Sequence, residues 1–467
     1  MEYDLVFLNG RVINPETNFD AIRSVGIIDG SIVSISEENL KGKVEIDISN
    51  LIICPGFIDV HSHEHSDEYY TLKCQDGVTS IFELEVGTDD VDLWYAERDN
   101  KTLINYGVAI GHIQARMKVF NHPPGFLPHS DSSAALQPDR IDEIKKEIEY
   151  GLRRGAMAVG FGIHYVPGAT RWEIVECFRL AKKYDVCCHV HMRHFGAQEK
   201  NGSLAALQEI LALGACTKAA INVCHLHSTC LAATHKALEL IHDAHKNGMD
   251  ITTEFYPYLA GCSTIDSALF NDDLWQEQLG INYNGLTYIN TGEQLDANSF
   301  AKYRKEGGLI LINSIPEEAV LECLRSPITL MGSDALRGHP RAAGSCARVL
   351  GHYVRDRGII SLMEAIRKMS LLPAQRLESA SSQMKTRGRI CEGATADLCI
   401  FDPVTIKDCA TYQQPKLPSQ GIIHVLVNGK FVLRDGKLVT MDKNTNLPGQ
   451  PIRGRVDYKT LVYFSFE

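Results

Sequence analysis

Two histidines one residue apart, His61 and His63, stand at the end of the apolar run GFIDVH. On an extended backbone the side chains at i and i+2 share a face, so both imidazoles can reach one ion. Neutral imidazole nitrogens together with a carboxylate suit a divalent metal such as zinc. A chain with 18 histidines makes one H-x-H readily by chance. The metal reading is carried by further histidines and acids at the ends of separate apolar runs: His191 after DVCCHV, His225 after INVC and Asp334 after ITLMGS.

Other polar residues beside these run ends admit two readings each. Glu83 and Glu85 interrupt the apolar run VTSIFELE, where an unpaired buried carboxylate is costly. A metal or a cation such as Arg116 would resolve it, and Glu85, nearer the run's end, is the better ligand of the two. His189 and His227 each lie two residues from a stronger candidate and are read on the same face. His189 is the deeper, a core histidine, and His227 lies further out, where it can touch substrate. His112 and His164 serve as structural hydrogen-bonders or take a direct part, and His65 reads as a solvated loop residue. Asp334 can take a proton from water and return it to a leaving amine, or it can simply cap a helix. Arg341 offers a planar fork to a carboxylate, or surface solvation.

The elements that must position these residues follow from periodicity. Eight short apolar runs (GFIDVH, VTSIFELE, YGVAIGH, AMAVGFG, DVCCHVH, INVCHLH, DITTEFY and ITLMGSD) alternate with amphipathic stretches such as IDEIKKEIEYGLRR, WEIVECFRLAKKY and HKALELIHDAHKNG. The alternation predicts an α/β chain with a TIM-like (β/α)8 barrel over residues 55–385, whose strand ends converge on one mouth. The stretch from Ala260 to Pro327 is too long for a simple crossover and predicts a lid or insertion. Residues 1–54 and 386–467 are instead rich in short strands with Asn-Gly and Asp-Gly pairs at hairpin positions. They predict one small β-sandwich built from both ends of the chain, followed by a tail.

Composition narrows the partners. In 467 residues, 47 Lys and Arg against 58 Asp and Glu give a net charge of -11 with no basic block, which argues against nucleic acid and anionic membranes. A small-molecule substrate is expected, and the composition leaves room for a homo-oligomer. No apolar run approaches the ~18 residues of a spanning helix, and the N-terminus lacks the basic start and apolar core of a signal peptide. The 14 cysteines are scattered without a C-x-x-C pair and read as reduced, cytoplasmic thiols.

Taken together, PGFIDVHSH, GFGIHYVPGA, HVHMR, CHLH, FYPYLAG, SDALRGHPRAAGSCARVLGHYVRD, MSLLPAQRL and ADLCIFDP resemble the amidohydrolase superfamily in its N-acyl-D-amino-acid deacylase (D-aminoacylase) branch. The resemblance spans nearly the whole chain. It implies amide hydrolysis by metal-activated water, with one or two divalent ions, zinc foremost. It makes His61, His63, His191 and His225 metal ligands and Asp334 the acid/base. It also gives Tyr165, with His225, the task of polarising the scissile carbonyl. Arg341, helped by Tyr256 or else Tyr258, would hold the substrate α-carboxylate.

The chain departs from the family pattern in two places. Where members commonly carry Asn-Cys-Gly it has Glu85-Val86-Gly87, so Glu85 would replace a thiolate ligand. Where they carry His-x-Lys it has His225-Leu226-His227, which removes a permanent cation from the expected carboxylate pocket. No lysine occurs in AMAVGFGIHY to be carboxylated between two metals. The expected activity is deacylation of N-acyl-D-amino acids. The alternatives are hydrolysis of a cyclic amide, as in hydantoinases and dihydroorotases, an unusual dipeptidase, or a non-catalytic scaffold.

Overall fold

A computed structural model describes residues 2–129, 133–137, 140–271, 274–440 and 446–456. The chain divides into two compact units, one of Met1–Phe82, Tyr95–Gly107 and Met331–Ile452, the other of Glu83–Trp94, Val108–Leu330 and Arg453–Glu467. Of the expected C-terminal tail, residues 457–467 lie outside the described residues.

In the first unit, β1 (Tyr3–Asn14), β2 (Phe19–Ile28), β3 (Ser31–Ser36), β4 (Gly42–Asp47) and β5 (Ile52–Pro55) belong to a nine-stranded sheet. The same sheet takes its remaining strands from the far end of the sequence. Its seam is β5, which runs parallel to β1 through Val12 and Ile53 and pairs antiparallel with the strand Leu398–Phe401. Phe7, Val12, Ile27, Ile53, Leu398, Ile400 and Leu426 close its core, so each end of the chain buries the other's apolar face.

Asp29-Gly30, Asn428-Gly429 and Asp435-Gly436 are two-residue hairpin turns with both residues at positive φ, as type I′ geometry demands. Asn9-Gly10 is not a turn. It sits inside β1 at a register shift between Phe7 and Gly10, and a Cβ on Gly10 would come within 2.3 Å of Ile48 Cδ1. A bulge gives an Asn-Gly pair the same conformational use as a hairpin, so local sequence does not separate the two.

The second sheet has eight strands: β6 (Phe57–Asp59), β7 (Val78–Thr88), β8 (Asn105–Gly111), β9 (Ala158–Gly162), β10 (Cys187–His191), β11 (Ala220–Val223), β12 (Ile251–Phe255) and, last in the chain, the strand Thr329–Met331. They follow one another in sequence order. The pairings of β6 with β7 and of β8 through β12 in succession are parallel, and a parallel bridge between Ser62 and Ala335 brings the ends of its first and last strands together. This is the (β/α)8 barrel that the alternation predicts. The amphipathic stretches form the helices Ile141–Arg153, Arg171–Tyr184, Ser203–Thr217 and Thr234–Lys246.

The long stretch before the last barrel strand holds a four-stranded sheet of its own, made of β13 (Gly261–Thr264), β14 (Leu286–Tyr288), β15 (Glu293–Gln294) and β16 (Leu309–Ile312). Within the same stretch the rings of Phe270, Trp275, Tyr283 and Phe300 pack against one another. Among the described residues no helix is long and apolar enough to cross a membrane.

Candidate metal centre and active site

In the first unit, strand β6 ends at Asp59, the chain bends at Val60, and Ser62, between the two histidines, bridges to Ala335. The Nε2 atoms of His61 and His63 are 3.1 Å apart. Asp334 Oδ1 lies 3.5 Å from the first and 3.3 Å from the second. Four ligands around zinc at about 2.0–2.1 Å stand roughly 3.3 Å from one another, so these three atoms have the spacing of donors to one ion. All three side chains are nearly solvent-free. Asp334 thus joins the donor group itself, besides the acid/base role that the resemblance implies for it. Its other oxygen, Oδ2, accepts a bond of 2.9 Å from Arg341 Nη2, and Arg341 is fully buried. Surface solvation of Arg341 is therefore excluded.

Asp334 has φ 50°, in the left-handed region that is uncommon outside glycine, though less so for Asp than for most residues. Its own N–H donates to His61 O at 2.7 Å, and His63 N–H donates to Ala335 O at 3.0 Å. The hydrogen bonds that join the first and last strand ends thereby hold the acid against the two imidazoles. Beneath them Asp59 and Lys73 form a buried pair at 2.7 Å. Burial pushes the Asp59 carboxyl up, but the Lys73 ammonium and the bonds from Ser333 outweigh it and hold the group below the usual carboxylate range. His65 Nε2 lies 2.9 Å from Ser62 O and its Nδ1 lies 3.4 Å from the Tyr70 hydroxyl, a structural role in the loop.

In the second unit, Glu85 Oε1 lies 2.8 Å from His191 Nδ1 and 3.6 Å from His225 Nε2. These three offer donor atoms within 4.8 Å of one another. His225 Nδ1 is 3.2 Å from Thr229 Oγ1, a partner that fixes the ring and aims its Nε2 at Glu85. Sequence reading did not single out Thr229. Glu83 is used differently, its Oε1 accepting the N–H groups of Val86 and Gly87. Tyr165, in a single helical turn after β9, sets its ring 4.8 Å from that of His191 at a tilt of 51°, and its hydroxyl is 3.4 Å from Ser263 Oγ on β13.

His225 and His227 do not share a strand face as expected. Strand β11 ends at Val223, His225 has φ 29°, and His227 belongs to the short helix Leu226–Cys230. His227 is fully buried, with its ring 4.3 Å from that of Tyr256. His189 faces Asn222 on the next strand at 3.3 Å, and Asn222 donates to Glu254 at 2.7 Å, a buried polar chain across β10, β11 and β12. Tyr258 is buried as well.

Arg116 does not pair with Glu85. It grips Glu173 through two bonds of 2.6 and 2.8 Å, and His112 Nε2 lies 2.6 Å from the same carboxylate, all three side chains wholly buried. Glu173 lies in the helix Arg171–Tyr184, where its type and position carry no local sign of this role. His164 Nδ1 donates to Arg193 O at 2.7 Å. Burial, with the neighbouring His191, pushes the His164 imidazole down to about 3, so its ring is neutral at ordinary pH.

Two donor groups of histidine and carboxylate, without a thiolate among the named ligands, fit a divalent ion with nitrogen and oxygen preference. Comparison with known proteins agrees with this chemistry. The chain is 27% identical to a D-aminoacylase of Alcaligenes xylosoxydans xylosoxydans over 93% of its own length and 95% of that protein. It is 28% identical to an N-acyl-D-glutamate deacylase of the same organism, over 96% and 98%. Its fold matches the crystal structure of an N-acyl-D-glutamate deacylase from Bordetella bronchiseptica, complexed with zinc and a phosphonate inhibitor, with TM-score 0.81 at 24% identity over 97% of this chain and all of that one. The pattern of the Amidohydrolase family runs through residues 52–432, and with that span the chain belongs to the amidohydrolase family.

Proposed function

We propose that this chain is a divalent-metal-dependent hydrolase that deacylates N-acyl-D-amino acids to a carboxylate and a free D-amino acid. The observation that carries the reading is the buried group of His61, His63 and Asp334, spaced as donors to one ion, in a chain similar from end to end to two deacylases. His61 and His63, and in the other unit Glu85, His191 and His225, are the residues that would hold one or two ions. Zinc is the ion we assign. An ion held there supplies a water of lowered pKa at neutral pH.

The chain's own groups do the rest. Asp334 takes the proton of the attacking water and returns it to the departing nitrogen, which a tertiary structure can make efficient only by fixing the acid in place. Tyr165 and His225 donate to the scissile carbonyl oxygen as charge develops on it. Arg341, Tyr256 and His227 orient the α-carboxylate, and several fixed contacts around the chiral carbon are what separate D from L. Assigning residues of both units to one reaction rests on the family pattern.

The test is release of free amine from matched N-acetyl D- and L-amino acids by the purified, zinc-supplemented protein. Activity on the D series is expected, with loss of about 10²–10⁴ in kcat for Asp334→Asn. Silence on all linear substrates with opening of a hydantoin or dihydroorotate ring would replace this reading by the cyclic-amide one. Arg341→Ala does not discriminate the two, because Arg341 also holds Asp334 and its removal disturbs the acid under either reading.

A further inference from the structure

Asp59 is shielded from solvent beneath the first donor group, and each of its oxygens is spoken for. Oδ1 accepts the backbone N–H of His61 at 3.2 Å and that of Ser333 at 2.9 Å. Oδ2 accepts the Ser333 hydroxyl at 2.6 Å and the Lys73 ammonium at 2.7 Å. Lys73, on the helix Asp67–Gln75, also donates to Ser333 Oγ at 2.7 Å. Asp59, Lys73 and Ser333 are each at most 2% exposed. One carboxylate therefore ties the residue that opens the His61-Ser62-His63 segment to the residue that precedes Asp334.

A buried ion pair need not be kept for stability, because apolar side chains of similar volume serve a core as well or better. Here the bonds are aimed at particular backbone groups. Asp334 is held at φ 50°, and Ser333, bonded through both its N–H and its hydroxyl, is the anchor immediately before it. Strained backbone of this kind persists only where the surroundings over-determine it.

We propose that Asp59, Lys73 and Ser333 form a clamp of positioning residues that sets the spacing between the two imidazoles and Asp334. The clamp touches neither substrate nor ion. It acts through His61 and Asp334, and it rests on the function proposed above only for its kinetic consequence.

Three variants test it. Asp59→Leu with Lys73→Met replaces the pair by apolar side chains and removes the acceptor for both backbone N–H groups. Asp59→Asn with Lys73→Met removes the charges but keeps an oxygen for those N–H groups and a donor for Ser333. Ser333→Ala removes the hydroxyl alone. Thermal midpoint, kcat, KM and zinc affinity by chelator competition are measured for each.

The clamp predicts that the Leu/Met protein folds, loses about 100-fold in kcat with little change in KM, and binds zinc about tenfold more weakly. The Asn/Met protein recovers to within about tenfold of wild type, as a retained acceptor should allow. A folded Leu/Met protein with wild-type kcat and zinc affinity overturns the proposal and leaves only a packing role. Should the Leu/Met protein not fold, Ser333→Ala decides. A drop of about tenfold in kcat or in zinc affinity supports the clamp, and no change in either overturns it. If wild-type protein deacylates nothing, the functional reading fails, while the zinc affinities still decide the clamp.

Discussion

Glu173→Gln probes the buried network that follows strand β8. The amide keeps the shape of the side chain and one acceptor, but it leaves the Arg116 guanidinium, wholly shielded from solvent, without an anion. Removing one partner of a buried pair costs about 3–5 kcal/mol, because the remaining charge stays desolvated. Arg116 keeps its bonds to Ala134 O and Gln137 O, which places the loss near the lower end, about 3 kcal/mol. With a urea m-value of about 3 kcal/mol/M, the midpoint should fall by roughly 1 M.

The pH dependence has a definite sign. Burial raises the Glu173 carboxyl, but His112 and Arg116 outweigh it and hold the group below 4.5. The unfolded chain therefore binds the proton more readily than the folded one. The carboxylate's stabilising contribution is complete above the unfolded value and is lost as pH falls through the folded one. The gap between wild type and Glu173→Gln should be constant near neutrality and close on acidification below 4.5. Burial lowers the His112 imidazole despite Glu173, so in wild type its contribution is lost as pH falls below 6.5. A cost under about 1 kcal/mol at neutral pH, the size of an exposed pair, would refute the claim that this network holds a desolvated charge.

Glu85→Gln removes the only carboxylate of the second donor group and should lower the amount of zinc retained after dialysis, read by elemental analysis. Asp334→Asn, with its loss of about 10²–10⁴ in kcat, should still bind an N-acyl-D-amino acid, read by calorimetry, since Asn keeps the size of the side chain but cannot accept the proton. Of the 14 cysteines, the native protein should show rapid reaction with a thiol reagent at Cys216, which is exposed, and none at Cys177, Cys346 and Cys399, whose thiols burial pushes well up. Fast labelling of those three would contradict the packing described.

Much of the fold is legible because apolar run length and turn chemistry act locally. Eight runs too short for helices, separated by stretches of helical period, leave little but a parallel barrel, and a β-rich segment at each end must find a partner for its apolar face. Partners distant in sequence are another matter. Glu173 lies 61 residues from His112, and nothing in WEIVECFRLAKKY distinguishes it from a solvated helix acid. Asp59 and Lys73 leave a fainter trace, an acid inside GFIDVH and a lysine inside YYTLKC, each a charge where the pattern calls for burial.

The same logic explains where strand spacing misleads. An i, i+2 rule holds while the backbone is extended, and at His61 and His63 it brings the two nitrogens together. At His225 and Asp334 the backbone turns to φ 29° and 50°, so a side chain leaves the pleat and the alternation ends. Neither residue is glycine, although Asp and His enter this region more often than most other side chains do. Both sit where a ring or a carboxylate has to be turned out of the sheet toward other donors, His225 toward Glu85 and Asp334 toward the two imidazoles. A local rule of spacing fails there because the position is set by groups far along the chain, which is what a site under functional constraint requires.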